Sequence, residues 1–198
     1  MKRLRSTLAL ASLVGLGGCI SLGPKLPPTL MSLSPTAPLQ AGTARTSDDR
    51  SAIAVAAPTV QPALATQRVM VEAGPNSVAY LKNAQWVAAP GQIFRDLLAE
   101  TITTRTGRIV PDPRLLATQP DTRLSGHLVQ FALDGPGMAV AVTFDGAIVR
   151  SGRTTIETRR FIARAPVTAE DGPTVAAAMN VAANQVAGQV ADWVGGRP

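Results

Sequence analysis

The sequence predicts an α+β fold, in which two main α-helices pack on one face of a mixed, mostly antiparallel β-sheet. Two observations carry this prediction. Apolar residues recur every three or four positions from Pro90 to Gly107 and from Asp171 to Gly195, as they do in amphipathic helices. Elsewhere they alternate with polar residues, as in half-buried strands. The predicted order of elements is β-β-(β)-α-β-β-β-α.

Three short strands are predicted before the first helix. Ile53–Ala56 is the first, closed by Pro58, and Arg68–Glu72 is the second. A turn rich in glycine and proline then leads into Val78–Leu81, the third segment with strand character. Further upstream, Leu30–Leu33 alternates apolar and polar residues, which is typical of a short edge strand.

The first helix is bounded by two local signals. Pro90 suits the first helical turn, because its missing N–H has no partner there in any case. Gly107 predicts the end of the helix, since glycine readily adopts the left-handed conformation of a C-terminal cap.

Three longer strands are predicted between the two helices. In Leu124–Leu133 the apolar residues change phase, which indicates either that both faces are covered or that a bulge shifts the alternation. After a Gly-Pro turn, Met138–Ile148 alternates cleanly. In Ile156–Val167 the phase slips between Ile156 and Phe161, which predicts a second bulge.

The last helix has an acidic cap, Asp171, followed by Pro173 in its first turn. Valine, methionine and alanine form its apolar stripe, and many further alanines make it slim. A slim helix can pack closely on a sheet, so we interpret the stripe as core.

The N-terminus has the pattern of an export signal. Basic residues near the start are followed by an apolar run that is too short to span a bilayer and ends at small residues. The motif Leu16–Cys19 closes this run and resembles the lipobox of bacterial lipoproteins. That resemblance implies cleavage before Cys19, a diacylglycerol on its thiol and acylation of the new amine.

The cysteine count agrees with an attachment point. Cys19 is the only cysteine, so no internal disulfide can form in an exported chain. The alternatives are an ordinary signal with a stray thiol, or a short membrane anchor left in place. Ser21 follows at the second position after the cysteine, and by the bacterial sorting rule this favours the outer membrane.

These features divide the chain into three parts. Residues 1–18 are predicted to be a lipoprotein signal peptide, and residues 19–50 a lipidated cysteine with a flexible, Pro-rich tether. Residues 51–198 are predicted to form a single α+β domain.

Charge and composition argue against nucleic acid as a partner. The formal charge is +6, and without the three basic residues of the signal it falls to 16 basic against 13 acidic residues. Aromatic residues make up only 4% of the chain, too few for base-stacking platforms. An exported protein is also separated from the nucleic acids of the cell.

No catalytic or metal site is expected. His127 is the only histidine, and in a strand it shares a face with Ser125, but no nucleophile elbow or placed acid accompanies them. A partly exposed strand histidine is the simpler interpretation. No His/Cys cluster predicts a metal site, and no motif predicts a cofactor.

Four residues are candidates for contact with a partner protein. Tyr80 and Trp86 flank the stretch before the first helix, and these residue types are enriched at binding hot spots. The alternative is that Trp86 packs over the sheet edge and the helix start. Arg159 and Arg160 could face an acidic partner or acidic head groups, or they are a solvated strand end.

The order of elements and several local patterns resemble the ABC-type transport auxiliary lipoproteins. The matching segments are Arg68–Val71, Asn76–Tyr80, Gln85–Pro90 and Leu128–Phe131, followed by the hairpins and an Ala-rich last helix. The resemblance covers Leu30 to Val194. These proteins accompany ABC lipid transporters with MCE-domain components, such as the paraquat-inducible systems.

The resemblance implies a protein that is not an enzyme. It implies an outer-membrane lipoprotein facing the periplasm, whose partner is an MCE-domain protein of a lipid transporter; homo-oligomerisation is left open. The alternative is a structural or outer-membrane assembly lipoprotein unrelated to transport. A tethered hydrolase would need Ser125, His127 and an acid in one cleft, and a lipid carrier would need an apolar cavity.

Overall fold

A computed structural model of the protein describes residues 27–48, 50–112 and 120–196. The signal peptide, Cys19 and Ser21 therefore lie outside the described residues. The described elements, in chain order, are β1 (Ile53–Val55), β2 (Thr59–Val60), a 3₁₀ turn (Pro62–Leu64), β3 (Arg68–Gly74), β4 (Ser77–Gln85), α1 (Pro90–Thr106), β5 (Thr122–Asp134), β6 (Ala139–Arg150), β7 (Ile156–Pro166) and α2 (Gly172–Val194).

The strands form one mixed sheet in the order β4-β3-β5-β6-β7. The pairs β3–β4, β5–β6 and β6–β7 are antiparallel. Strands β1, β2 and β3 pair one after another along the same side of β5, all parallel to it. Parallel pairing requires a long crossover, which here includes α1. The predicted α+β class is confirmed.

Both helices form one layer. Helix α2 packs on β6, β7 and β4, while α1 packs against α2 and contacts β1. Their ends follow the local signals: the Asp171 side chain accepts a hydrogen bond from the Thr174 N–H at 2.8 Å. Gly107 ends α1 at a φ of 76°, with its N–H donating to the Thr103 carbonyl.

The core lies between the helices and the sheet. It contains a chain of aromatic rings in which Phe144 contacts Phe94 and Phe161, with ring centres 5.5 and 6.4 Å apart. Trp193 of α2 extends this chain at 5.4 Å from Phe161. Small residues of α2, such as the fully buried Ala182, allow the helix to approach the sheet closely.

One of the two predicted bulges is present. In β5 the register shifts between Leu128 and Gln130, so Leu128 and Phe131 both reach the core although they are three residues apart. The bulge predicted in β7 is wrong. Its register with β6 is continuous, and the phase slip arises because Ile156 is on the open side of the sheet and 66% exposed.

Residues 27–48 belong to the stretch predicted as a flexible tether, and they run across the helical layer. Met31 is buried and bridges Trp86 in parallel fashion, which gives the predicted short strand Leu30–Leu33 a single bridge. The Asn180 and Asn184 side chains accept hydrogen bonds from the backbone N–H groups of Ser34 and Thr36, each at 2.9 Å. This Pro-rich segment lacks secondary structure of its own, so helix side chains satisfy its backbone groups. We call residues 27–48 the strap.

Candidate functional site

The sheet face opposite the helices carries most of the polar side chains of the longer strands. Successive side chains point to opposite faces, so the register with the core residues identifies those that point away from the helices. We call this surface the open face; its residues on β5 to β7 include Gln130, Ala132, Asp134, Ala141, Thr143, Asp145, Thr158, Arg160, Ile162 and Arg164.

Two arginine–carboxylate pairs cross the open face. Arg160 of β7 donates two hydrogen bonds of 2.6 Å to Asp145 of β6. Arg164 of β7 pairs with Asp134, which also accepts from the Gly137 N–H. Hydrogen bonding to Arg160 lowers the pKa of Asp145, and the bond from Arg164 lowers the pKa of Asp134. These pairs hold the two arginine side chains over the sheet.

A second polar chain links three strands on the open face. The Gln130 amide N–H donates to Glu72 of β3 at 2.7 Å, and the Thr143 hydroxyl donates to the Gln130 amide oxygen at 3.3 Å. Beside this chain, Met70 of β3 is buried next to Ala132 of β5. The groups satisfy each other, so their arrangement suits structural cohesion of the sheet rather than proton transfer.

His127 lies on the open face opposite Asp145. Its Nδ1 is 3.0 Å from the hydroxyl of Thr59 on β2, and the carboxylate of Asp145 is already paired with Arg160. The hydrogen bond between Ser125 and His127 that a hydrolase would need is not found in the described ranges. The geometry therefore supports the interpretation of His127 as a partly exposed strand residue.

Tyr80 is half-buried on β4, the strand at the opposite end of the sheet from β7. Its hydroxyl donates to the Ala63 carbonyl at 3.2 Å, and the Arg68 guanidinium stacks 3.9 Å from its ring centre. The ring is thus held in place by the 3₁₀ turn and by β3. Only part of it can contact a partner without a rearrangement.

Trp86 is placed inside the core, with no exposed surface. Its ring packs on Phe131, with ring centres 5.2 Å apart, and its backbone pairs with that of Met31 in the strap by a parallel bridge. The indole Nε1–H has no hydrogen-bond partner among the described residues. The structure therefore agrees with the packing alternative for Trp86, and a partner could reach this ring only after the core rearranged.

Arg159 and Arg160 point to opposite sides of the sheet, because neighbouring strand residues alternate. Arg160 is ion-paired on the open face, whereas the Arg159 guanidinium lies 5.5 Å from the Phe161 ring centre on the helix side. The two residues therefore do not form a joint basic patch.

The sequence analysis did not predict the contacts between the strap and α2. A signal was present, since Asn180 and Asn184 are spaced four residues apart in a helix otherwise rich in alanine and valine. That spacing places both amides on one helix face. What the sequence could not show is that their partner is a backbone segment about 150 residues away in the chain, as the separation of 148 residues between Thr36 and Asn184 illustrates.

Within the described ranges, neither helix is long and apolar enough to cross a membrane. No group of three or more potential metal ligands occurs among the same residues.

Comparison with solved structures supports the fold. The chain is similar to protein XCC0632 from Xanthomonas campestris, of family DUF330, with a TM-score of 0.68 and 18% identity over 84% of this chain and 94% of that one. A second crystal structure, of an uncharacterized protein, matches with a TM-score of 0.64 and 16% identity over 84% and 99% of the two chains. No curated protein sequence matches significantly.

One family model matches most of the sequence. The model described as "ABC-type transport auxiliary lipoprotein component" matches residues 32–191, a range that includes part of the strap, the whole sheet and nearly all of α2. The chain therefore belongs to the family of ABC-type transport auxiliary lipoprotein components.

Proposed function

We propose that this protein is a lipid-anchored periplasmic adaptor of an MCE-type ABC lipid transporter, attached to the outer membrane through Cys19. The family match over residues 32–191 carries this proposal. The motif Leu16–Cys19 supports lipidation, and Ser21 supports sorting to the outer membrane. Two or more acyl chains on one residue would make membrane attachment stable.

The described geometry supports an adaptor rather than an enzyme or a lipid carrier. The polar groups of the open face are paired with each other, as Asp145 is with Arg160 and Glu72 is with Gln130. Between the sheet and the helices, the space is filled by packed rings and aliphatic side chains, including Phe94, Phe131 and Phe144. We therefore place the function of the domain on its surface, in the binding of other proteins.

The strap sets how far the domain can stand from its anchor. Met31 is fixed against the core, and twelve residue steps separate it from Cys19. A chain of that length spans at most about 40 Å even when fully extended. The domain would therefore work close to the membrane that holds the acyl chains.

A crosslinked pull-down tests the proposal. The tagged full-length protein would be crosslinked in native cells and recovered separately from inner-membrane and outer-membrane fractions, with Cys19→Ala as the unlipidated control. We expect an MCE-domain protein, with or without its permease and ATPase, to accompany the wild type from the outer-membrane fraction. The unlipidated Cys19→Ala protein should be absent from the outer-membrane fraction. Recovery of only outer-membrane assembly proteins or peptidoglycan-linked proteins would contradict the transport role.

A further inference from the structure

We propose that the free edge of β7 is a docking site for an extended, acidic segment of a partner protein, which adds to the sheet as a further strand. This inference deepens the adaptor role proposed above and rests on it. It is carried by the backbone of β7, the side chains beside that backbone and the charge of the β6–β7 hairpin. Strand addition is an established mode of peptide recognition, in which main-chain hydrogen bonds supply affinity.

The register shows which backbone groups of β7 are free. The Val167 N–H donates to the Met138 carbonyl at 2.9 Å, and the pairing of β6 with β7 continues from there without a shift. In an antiparallel pair the bonded positions alternate, so the odd-numbered residues of β7 bond to β6. The even-numbered residues direct their N–H and C=O groups outward; those with a free N–H inside the strand are Thr158, Arg160, Ile162 and Arg164.

These outward groups are available in the described part of the protein. Strand β7 is the last in the sheet order, and within residues 27–48, 50–112 and 120–196 no strand pairs with its outer side. The edge is 11 residues long, which is long for an unpaired strand. Proline, which would block pairing, occurs only at its last position, Pro166.

The opposite edge of the sheet is not equivalent. Strand β4 contains Asn83 in the left-handed region, at a φ of 54°, and its register with β3 shifts between Arg68 and Met70. Such irregularities bend an edge strand away from further pairing. Strand β7 has neither feature. Of the two end strands, β4 and β7, it is therefore the one whose edge suits strand addition.

Charged side chains often hinder pairing at a free edge. On β7, two of the charged side chains are turned over the sheet by ion pairs. Arg160 and Arg164 lie across the sheet in ion pairs with Asp145 and Asp134. Ile162 stands between them and is 55% exposed. The edge therefore combines free backbone groups with an apolar contact point, instead of a row of projecting charges.

The charge of the hairpin selects the partner. Residues 134–166, which include Asp134 as the partner of Arg164, contain five arginines against three acids. Three of these arginines are ion-paired with the three acids, so the positive charge that remains in this hairpin comes from Arg153 and Arg159. Pairing of β7 with a second copy would bring two such hairpins together and is opposed by like charge. A segment rich in Asp and Glu is attracted.

The experiment uses the full-length lipoprotein in its native membranes. A photoreactive residue, p-benzoylphenylalanine, replaces Thr158 at the free edge, and in a control protein it replaces Val181, an exposed residue on the outside of α2. Crosslinked products are digested and the joined peptide is identified by mass spectrometry. The Thr158 probe is then repeated with Ile162→Pro, which removes one outward N–H, and with Ile162→Thr, which keeps it. Circular dichroism melts of both variants verify that the domain folds.

We expect the Thr158 probe, and not the Val181 probe, to capture a segment of another protein with net negative charge. Ile162→Pro should reduce the crosslink by about tenfold, the factor that corresponds to one lost hydrogen bond of about 1.4 kcal/mol, while Ile162→Thr should keep most of it. Capture of a second copy of this chain, equal yields with proline and threonine, or no crosslink above the Val181 control would overturn the inference.

The result also separates this inference from the proposed function. If the Ile162→Pro variant still recovers the transporter as the wild type does, and β7 captures no acidic segment, then the edge inference fails and the adaptor role stands. If β7 captures an acidic segment but no MCE-domain protein, permease or ATPase is recovered, then the edge inference stands and the transport role fails.

Discussion

The two faces of the sheet are built from the same strands but are stabilised differently. Along β6, Val140, Val142 and Phe144 enter the core, while the residues between them, such as Thr143 and Asp145, lie on the open face. The helix side holds the fold together by burying apolar surface. The open side carries ion pairs between neighbouring strands, such as that of Arg160 with Asp145. Alternate residues of one strand can thus be held by apolar burial on one face and by polar pairing on the other.

The largest expected effect comes from one substitution made on each face of the same strand. Val142 is fully buried on the helix side, whereas Val149 is 38% exposed on the open side. We expect Val142→Ala to lower the free energy of unfolding by about 2–3 kcal/mol, because it removes buried methyl groups and leaves a cavity. Val149→Ala should lower it by less than about 1 kcal/mol. Urea denaturation measures both.

Equal losses in the two variants would contradict this difference between the two faces. They would mean that Val149 is as well packed as Val142, and hence that something covers the open face in solution. Equal slopes of the denaturation curves would show that the two variants unfold from comparably compact states.

An intermediate effect is expected where the strap lies on the outside of the helical layer. Asn180→Ala removes one hydrogen bond to the strap backbone and Asn184→Ala removes two, and each substitution should cost on the order of 1 kcal/mol. We expect faster amide hydrogen exchange at Ser34 and Thr36 and faster proteolysis within residues 31–45. Gln185→Ala, at an exposed position of the same helix, is the matched control.

The outer surface of α2 is thus covered by polar hydrogen bonds to the strap, whereas its inner surface is covered by apolar burial. Unchanged exchange at Ser34 in both asparagine variants would show that other contacts hold the strap, such as the bridge between Met31 and Trp86.

The smallest expected effect concerns the ion pairs of the open face. The pKa of Asp145 is lowered mainly by its hydrogen bonds to Arg160, so its folded pKa lies below its unfolded pKa. The resulting stability is present above the unfolded value, near 4, and is lost as the pH falls through the folded pKa. Because the pair is largely exposed, we expect less than about 1 kcal/mol.

The measurement is the difference in unfolding free energy between the wild type and Asp145→Asn, taken at pH 7 and again at pH 3. We expect a small deficit of the variant at pH 7 that shrinks at pH 3. His127 faces Asp145 from β5 and also contributes to lowering the pKa of Asp145, so a His127→Gln background isolates the effect of Arg160. A deficit that grows on acidification would contradict the assignment.

The local structure could be predicted because its causes lie within a few residues. Asp171 caps α2 by bonding to Thr174, three positions away, and Gly107 ends α1 by its own backbone conformation. The β5 bulge is visible as a change of phase in the apolar pattern. The same signal misled in β7, because an exposed Ile156 breaks the pattern as a bulge would.

The candidate site could be predicted only in part. Tyr80 and Trp86 are equally aromatic in the sequence, but one is half-buried and the other has no exposed surface. The burial of Trp86 involves residues far away in the chain: Met31 pairs with it in a β-bridge from 55 residues before, and Phe131 packs on its ring. No local pattern contains that information.

The types of most elements, the α+β class and the lipobox motif at Cys19 could be read from the sequence, since each follows from periodicity or short-range chemistry. The placement of β1 to β3 along one side of β5, the path of the strap over the helices, the separation of Arg159 from Arg160 and the position of β7 at the end of the sheet emerged from the folded structure alone. Strand order and burial depend on contacts between residues far apart in the chain. The energy of those contacts comes from the surface the whole fold buries, and not from any single segment.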